Sequence, residues 1–329
     1  MDKNGTETFN SILEYISPEL SKKLWKVPDY IKKNAEEIRL RKEKPLMIFG
    51  GGTEYFLMNE GSVSKKEKGA LITTHEDLVR TFQLISRYSV YAFEEEMRSG
   101  FITLKGGHRV GIAGKTVYGI KGIESIRDIS SLNMRIGREK KGISDNIMKF
   151  IIIPPDSIFN TLIVSPPQCG KTTLLRDMIR NISNGMKEYD FRGLKVGLVD
   201  ERSEIGGVYN GVAQNDLGIR TDILDGCLKS DGITILIRAM SPQVVATDEL
   251  GDYKDINAVH EALKAGVKLI STVHGKDIED LLSKKSLSWI IEEKIFERII
   301  FLDNSKGVGT VRDIVEGYSF NSVLNREKY

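Results

Sequence analysis

The stretch Ser165-Pro166-Pro167-Gln168-Cys169-Gly170-Lys171-Thr172 sets a lysine and a hydroxyl directly after a glycine. In front of it runs a short apolar, β-branched segment, Thr161–Val164; behind it Leu174, Leu175, Met178, Ile179 and Ile182 recur with a helical period. Strand, tight loop and helix in that order bring backbone N–H groups and the positive end of a helix to one point. Such a point attracts an anion. A lysine there can reach the terminal phosphates of a nucleotide, and a threonine hydroxyl can sit on Mg²⁺. The pattern G-x-x-x-x-G-K-[ST] is met everywhere except at its first glycine, which is Ser165 here. Ser165, Pro166, Pro167, Gln168, Cys169, Gly170, Lys171, Thr172 and Thr173 are the expected phosphate-facing residues. The plain alternative is a Gly-Lys turn that merely precedes a helix; the strand before it and the Lys-Thr pair within it argue against that.

Three further apolar runs end in polar residues. Gln243-Val244-Val245-Ala246-Thr247 leads into Asp248-Glu249. A strand ending in this pair has the form of a Walker B motif, with Asp248 ordering Mg²⁺ together with Thr172 and Glu249 polarising a water as general base. Lys195–Val199 leads into Asp200-Glu201-Arg202-Ser203-Glu204. In a parallel sheet this acidic cluster faces the phosphate loop from the same edge, and Glu201 is the second candidate base. An acidic helix start is the competing reading of that cluster. Leu269–Val273 leads into His274-Gly275, where the imidazole either senses the γ-phosphate or simply packs. Arg202, Arg220, Arg238 and Arg135 are candidates for the cation that offsets charge in phosphoryl transfer, and the sequence does not choose among them.

The elements that must position these groups fall into two rhythms. Residues 1–138 read as an α+β domain. A helical start carries Phe9, Ile12, Leu13 and Ile16 on one face. A half-buried strand follows at EIRLR (37–41), then strands either side of a glycine turn in 45–57. Thr74 and Asp77 open a helix, and Glu94–Gly114 reads as two strands around Lys105–His108. GREKKG (137–142) is a charged, glycine-bounded linker and the natural hinge. From 139 to 329, strands at 161–164, 195–199, 244–247, 268–273 and 298–302 alternate with helical stretches. That alternation predicts an α/β domain with a mainly parallel sheet. The tail Asn321–Tyr329 is polar and reads as loose.

With 48 Lys+Arg against 46 Asp+Glu in 329 residues, nothing pushes the whole chain toward nucleic acid or anionic lipid. No apolar run reaches the roughly 20 residues of a membrane span, and the polar opening MDKNGTETFN is not a secretory signal. Two cysteines, Cys169 and Cys227, with no CxxC or His/Cys cluster, argue for a reducing compartment and against zinc.

The four motifs together resemble the RecA-like ATPases of the type II and type IV secretion superfamily. In that family a smaller N-terminal α+β domain is joined by a short linker to a P-loop core carrying Walker A, acidic, Walker B and histidine boxes. Here the boxes correspond to Ser165–Thr172, Asp200–Glu204, Val244–Glu249 and Ser271–Gly275. EIRLR, GGHRVGIAGK, SSLNMRIGRE, SPPQCGKTTLLRD, VDERSEI, LGIRTDILDGC and MSPQVVATDELG narrow the resemblance to a sporulation branch of that superfamily, from about Glu36 to Gly317. The tetracysteine zinc segment of some type II members is missing. The resemblance implies an ATP- and Mg²⁺-dependent motor, hexameric by family habit. It would energise or assemble a channel complex between mother cell and forespore, at the cytoplasmic face of the mother-cell membrane, through membrane-protein partners. Two rivals follow from the same residues. One is a nucleic-acid translocase, for which Lys65, Lys66, Lys68, Lys140 and Lys141 form only short basic clusters. The other is a nucleotide-gated scaffold with little turnover.

Overall fold

The computed structural model describes residues 5–87, 94–120, 122–251, 253–285 and 287–324. The chain divides into two compact units. Unit 1 is Met1–Arg138 together with Tyr209–Gln214; unit 2 is Glu139–Val208 and Asn215–Tyr329.

Unit 1 begins with short helices α1 (Gly5–Ile12), α2 (Pro18–Leu24) and α3 (Asp29–Lys32). Strands β1 (Ala35–Arg41), β2 (Met47–Gly50), β3 (Thr53–Leu57) and β4 (Val63–Ser64) follow. After helices α4 (His75–Ile85) and α5 (Glu94–Ser99) come β5 (Phe101–Leu104), β6 (His108–Gly119) and β7 (Gly122–Arg135). The strands form one antiparallel sheet in the order β4-β3-β2-β1-β7-β6-β5. In EIRLR the apolar Ile38 and Leu40 are fully buried and the charged residues between them are not, as period-two alternation requires. Phe9, Ile12, Leu13 and Ile16 bury their shared face in the same core. The Thr74–Asp77 signal is a complete capping box: Asp77 N donates to Thr74 Oγ1 at 3.1 Å and Thr74 N to Asp77 Oδ2 at 3.0 Å. One expectation needs correcting. The start of Glu94–Gly114 is the helix α5, because its charged Glu-rich opening lacks strand alternation and favours helix; the two strands begin at Phe101.

Unit 2 opens with a small hairpin of β8 (Ile152–Ile153) and β9 (Ser157–Ile158). Then come β10 (Thr161–Ser165), α6 (Lys171–Asn184), β11 (Val196–Asp200), β12 (Thr221–Asp225) and α7 (Lys229–Met240). The remainder is β13 (Val244–Glu249), α8 (Tyr253–Lys264), β14 (Lys268–His274), α9 (Ile278–Ser283), α10 (Ser288–Glu292), β15 (Arg298–Asp303) and β16 (Thr310–Glu316). The sheet order is β12-β11-β13-β14-β10-β15-β16, parallel throughout except for β15–β16. β10 and β11 are buried at every position, as strands covered on both faces must be. β12 and β16 escape the apolar-run reading because they are edge strands with mixed, half-exposed side chains. Asn160 ties the strand starts together: its Oδ1 accepts from Leu269 N at 2.9 Å and its Nδ2 donates to Ile295 O at 3.2 Å.

Several residues of the stretch 137–142 are bonded within one unit or the other. Within unit 1, Arg138 Nη2 donates to the carbonyls of Lys32 and Ala35, both at 2.8 Å. Within unit 2, Glu139 accepts from Asp216 N at 2.7 Å and Lys141 pairs with Asp216 at 2.5 Å. Gly142 N and Ser144 N and Oγ all donate to Asp177, a buried carboxylate on α6. The tail also starts less loosely than its composition implies. Val323 N donates to Ile314 O at 2.8 Å, so the chain past β16 is tied back to it; residues 325–329 lie outside the described residues.

Candidate functional site

The parallel register puts the polar ends of β10, β11, β13 and β14 along one sheet edge, with Ser165 opposite His274 and Glu249 opposite Thr272. Ser165 is the last residue of β10 and is fully buried. Its carbonyl accepts from Gly275 N at 3.2 Å and from Lys171 Nζ at 3.1 Å, and its hydroxyl turns onto Pro166 O. The loop's left-handed positions fall later, at Gln168 (φ 62°) and Gly170 (φ 87°), so the first motif position does not demand glycine here. Gly170 does: a Cβ on it would lie 3.1 Å from Gly309 N and 3.0 Å from Val308 Cγ1. The turn carrying Gly309 braces the loop, since Gly309 N donates to Cys169 O at 3.1 Å.

Helix α6 starts at Lys171, earlier than periodicity alone indicates. Its N-cap, Gly170, supplies no side-chain acceptor, and its first turn has no acidic residue. The leading amides of a 14-residue helix therefore have no side-chain cap and can meet an anion. This fits a phosphate group. Lys171 is buried beside them, and burial drives its ammonium down to about 8, opposed by the charges of Glu249 and Cys169.

Lys171, His274, Glu249, Glu201 and Asp248 of the predicted site residues gather into two chains of polar contacts. In the first, Lys171 Nζ lies 2.6 Å from His274 Nδ1, and His274 Nε2 lies 2.9 Å from Glu249 Oε2. An ammonium can only donate, so Nδ1 accepts and the Nε2–H points at Glu249. In the second, Lys229 pairs with Glu201 and lies 3.3 Å from Asp248 Oδ1. Consecutive residues of β13 thus serve different chains, Asp248 the second and Glu249 the first. A register irregularity between Ala246 and Glu249 accompanies this, with Ser271 Oγ donating to Asp248 O at 2.7 Å. Burial raises the Asp248 carboxyl against the opposing pull of Lys229. Glu201, Arg202, Lys229, Asp248, Glu249 and Asp255 line a cavity of about 310 Å³.

Asp200, placed in the acidic cluster by sequence, has a different duty. It is fully buried and accepts from the amides of Glu204, Ile205 and Gly206 at 2.7–3.0 Å, folding the loop that follows. Burial pushes its carboxyl up to about 6 in spite of those amides. Arg176 on α6 holds the same loop through Ile205 O at 2.7 Å and Glu204 O at 2.6 Å. Among the candidate arginines, Arg220 caps the far end of α6 through Ser183 O at 2.6 Å; Arg202 lines the cavity; Arg238 closes α7; and Arg135 stands opposite Glu37 and Arg109 in the unit 1 sheet. Sequence reading missed Lys229, Arg176 and Asp177. The one available signal was Lys229 itself, a cation in the first turn of a helix, where the dipole disfavours it.

The sequence matches the family model described as sporulation stage III, protein AA, over residues 7–320. The chain belongs to that family. Stage III sporulation protein AA of Bacillus subtilis (strain 168) is 39% identical over 307 residues, 93% of this chain and 95% of that protein. Protein SEEDLING PLASTID DEVELOPMENT 1 of Arabidopsis thaliana is 25% identical over 87% of this chain, which corresponds to 36% of that protein. Among solved structures, the Legionella pneumophila ATPase DotB superposes with a TM-score of 0.51 at 16% identity, covering 83% of this chain and 73% of DotB. The pilus retraction motor PilT with bound ADP gives 0.51 at 15%, covering 81% and 74%. This family member has the RecA-like fold of secretion ATPases. Among its described residues, no helix is long and apolar enough to cross a membrane, and no three of His, Cys, Asp and Glu come together as a metal cage.

Proposed function

We propose that the chain is a Mg²⁺-dependent ATP-hydrolysing motor that energises or assembles a channel complex between mother cell and forespore. The observation that carries this is the chain Lys171–His274–Glu249, set beside the uncapped start of α6. Lys171 and the loop amides hold the β- and γ-phosphates. Thr172 and Asp248 order Mg²⁺, which draws charge from the phosphates when bound; Mg²⁺ is usually held by one or two carboxylates plus phosphate oxygens, so a full protein cage is not needed. Glu249 is favoured over Glu201 as the group that orients the attacking water, because it directly follows Asp248, the residue assigned to Mg²⁺. His274 releases Lys171 when phosphate takes its place and so registers the state of the site. The family resemblance supports a hexameric ring and partners among the membrane proteins of the sporulation complex, with the motor held at the cytoplasmic face. The hinge of this reading is the glycine-bounded stretch 137–142.

Glu249→Gln tests the reading. Turnover is expected to fall about 10²–10⁴-fold while bound ATP is retained. ATPase activity measured against protein concentration should rise cooperatively as rings complete the sites. A Glu249→Gln variant indistinguishable from wild type in turnover would favour a nucleotide-gated scaffold.

A further inference from the structure

We infer that Lys229 is the resident counter-cation of the acidic edge, presupposing the nucleotide reading above: it keeps Asp248 and Glu201 from taking up a divalent cation until nucleotide delivers one. Local preference would not put it there. Lys229 opens a 12-residue helix with no side-chain cap at Leu228, and the dipole at that end repels an ammonium. A residue that breaks a local rule inside a cleft has its reason in tertiary contacts. Here the contacts are carboxylates from two strands, Glu201 past the end of β11 and Asp248 near the end of β13. The side chains of Lys229 and Asp248 are each 13% exposed, so solvent screens the pair only in part.

The two contacts differ in length. Lys229 Nζ is hydrogen-bonded to Glu201 Oε2. Its contact with Asp248 Oδ1 is the longer of the two, at 3.3 Å. A competing cation therefore displaces the longer contact, leaving Lys229 with Glu201. Asp248 is thus held ready for metal yet neutralised while the site waits. Lys229 is a positioning residue, and Glu201 anchors it. Without the ammonium, Asp248, Glu201, Glu249 and Asp255 would line the 310 Å³ cavity with one positive side chain fewer, and a divalent ion would be drawn in on its own.

The test uses the full chain and Mn²⁺ as probe, followed by the loss of free-ion signal in electron paramagnetic resonance, with no nucleotide present. Lys229→Met is expected to bind Mn²⁺ at least about tenfold more tightly than wild type. Lys229→Arg, which keeps the charge, should match wild type. Adding Asp248→Asn to Lys229→Met should abolish the gain. Lys229→Gln serves if the methionine variant does not fold by circular dichroism. Equal Mn²⁺ affinity in wild type and a folded, charge-removed variant overturns the inference, and so does a gain that survives Asp248→Asn. A separate titration with a fluorescent ATP analogue, in wild type and Lys171→Ala, tests the nucleotide reading. If no nucleotide binds, that reading fails while the Mn²⁺ comparison still reports on Lys229.

Discussion

The two units solve the same packing problem with opposite sheets, and only one of them gathers the candidate site residues. In unit 1 the strands are antiparallel, so neighbouring strand ends fall on opposite edges and the polar residues disperse. Ile38 and Leu40 bury one face while charged neighbours stay at the surface. In unit 2 the central strands run parallel and are buried on both faces. Polarity is excluded from their bodies and displaced to their ends, and all the carboxyl ends lie on one edge. Ser165, His274, Glu249, Asp248 and Glu201 converge for that reason. A parallel sheet gathers chemistry as a consequence of its connectivity; an antiparallel one has to recruit loops to do the same.

The sharpest way to break the comparison is Lys171→Ala. Nucleotide affinity, measured by calorimetry, is expected to fall about 10²–10³-fold with unit 1 unaltered, since a buried cation aimed at phosphate is lost. Undiminished binding would remove the chemistry from this edge.

A smaller effect, on stability, is expected at Asp177, whose buried carboxylate holds Gly142 and Ser144 to α6. Burial pushes this carboxyl up, but Ser144, Arg180 and the Gly142 amide together hold it below its ordinary 3.8. Because the folded value is the lower one, the contribution is complete above the unfolded value and disappears as pH falls through the folded one. Asp177→Asn should therefore cost about 2–3 kcal/mol near neutral pH, the size of hydrogen bonds to a charged group. The gap from wild type should close below pH 3.8, as followed by denaturant midpoints. A gap that is constant with pH would show that the charge is not what matters.

The smallest change is expected from Arg39→Ala on β1. Its ion pair with Glu37 is part-exposed, with the arginine side chain 37% accessible. A loss of less than about 1 kcal/mol in thermal unfolding would mark the unit 1 surface as ordinary. A larger loss would mean that this face supports more than its own strand.

The strand–loop–helix at 161–184, the strand ending in Asp248-Glu249 and the strand bearing His274 were legible from sequence because each is a local pattern. A strand, a glycine with positive φ and a helix start are decided by residues within a few positions of one another. Helix α5 was misread for the same reason, since a short charged segment between strands gives little period to count. Strands β12 and β16 were passed over because edge strands carry no continuous apolar run.

What the amino-acid order determined by itself is the set of polar groups placed at the strand ends, along with the alternating rhythm that predicts a parallel sheet. What only the tertiary structure decided is who holds whom: Lys171 with His274 and Glu249, Lys229 with Glu201 and Asp248, Asp200 with its own loop. Backbone preference acts over a few residues, and so can be read along the chain. Charge pairing acts through space, and its partners are chosen by strand order, which no local pattern encodes.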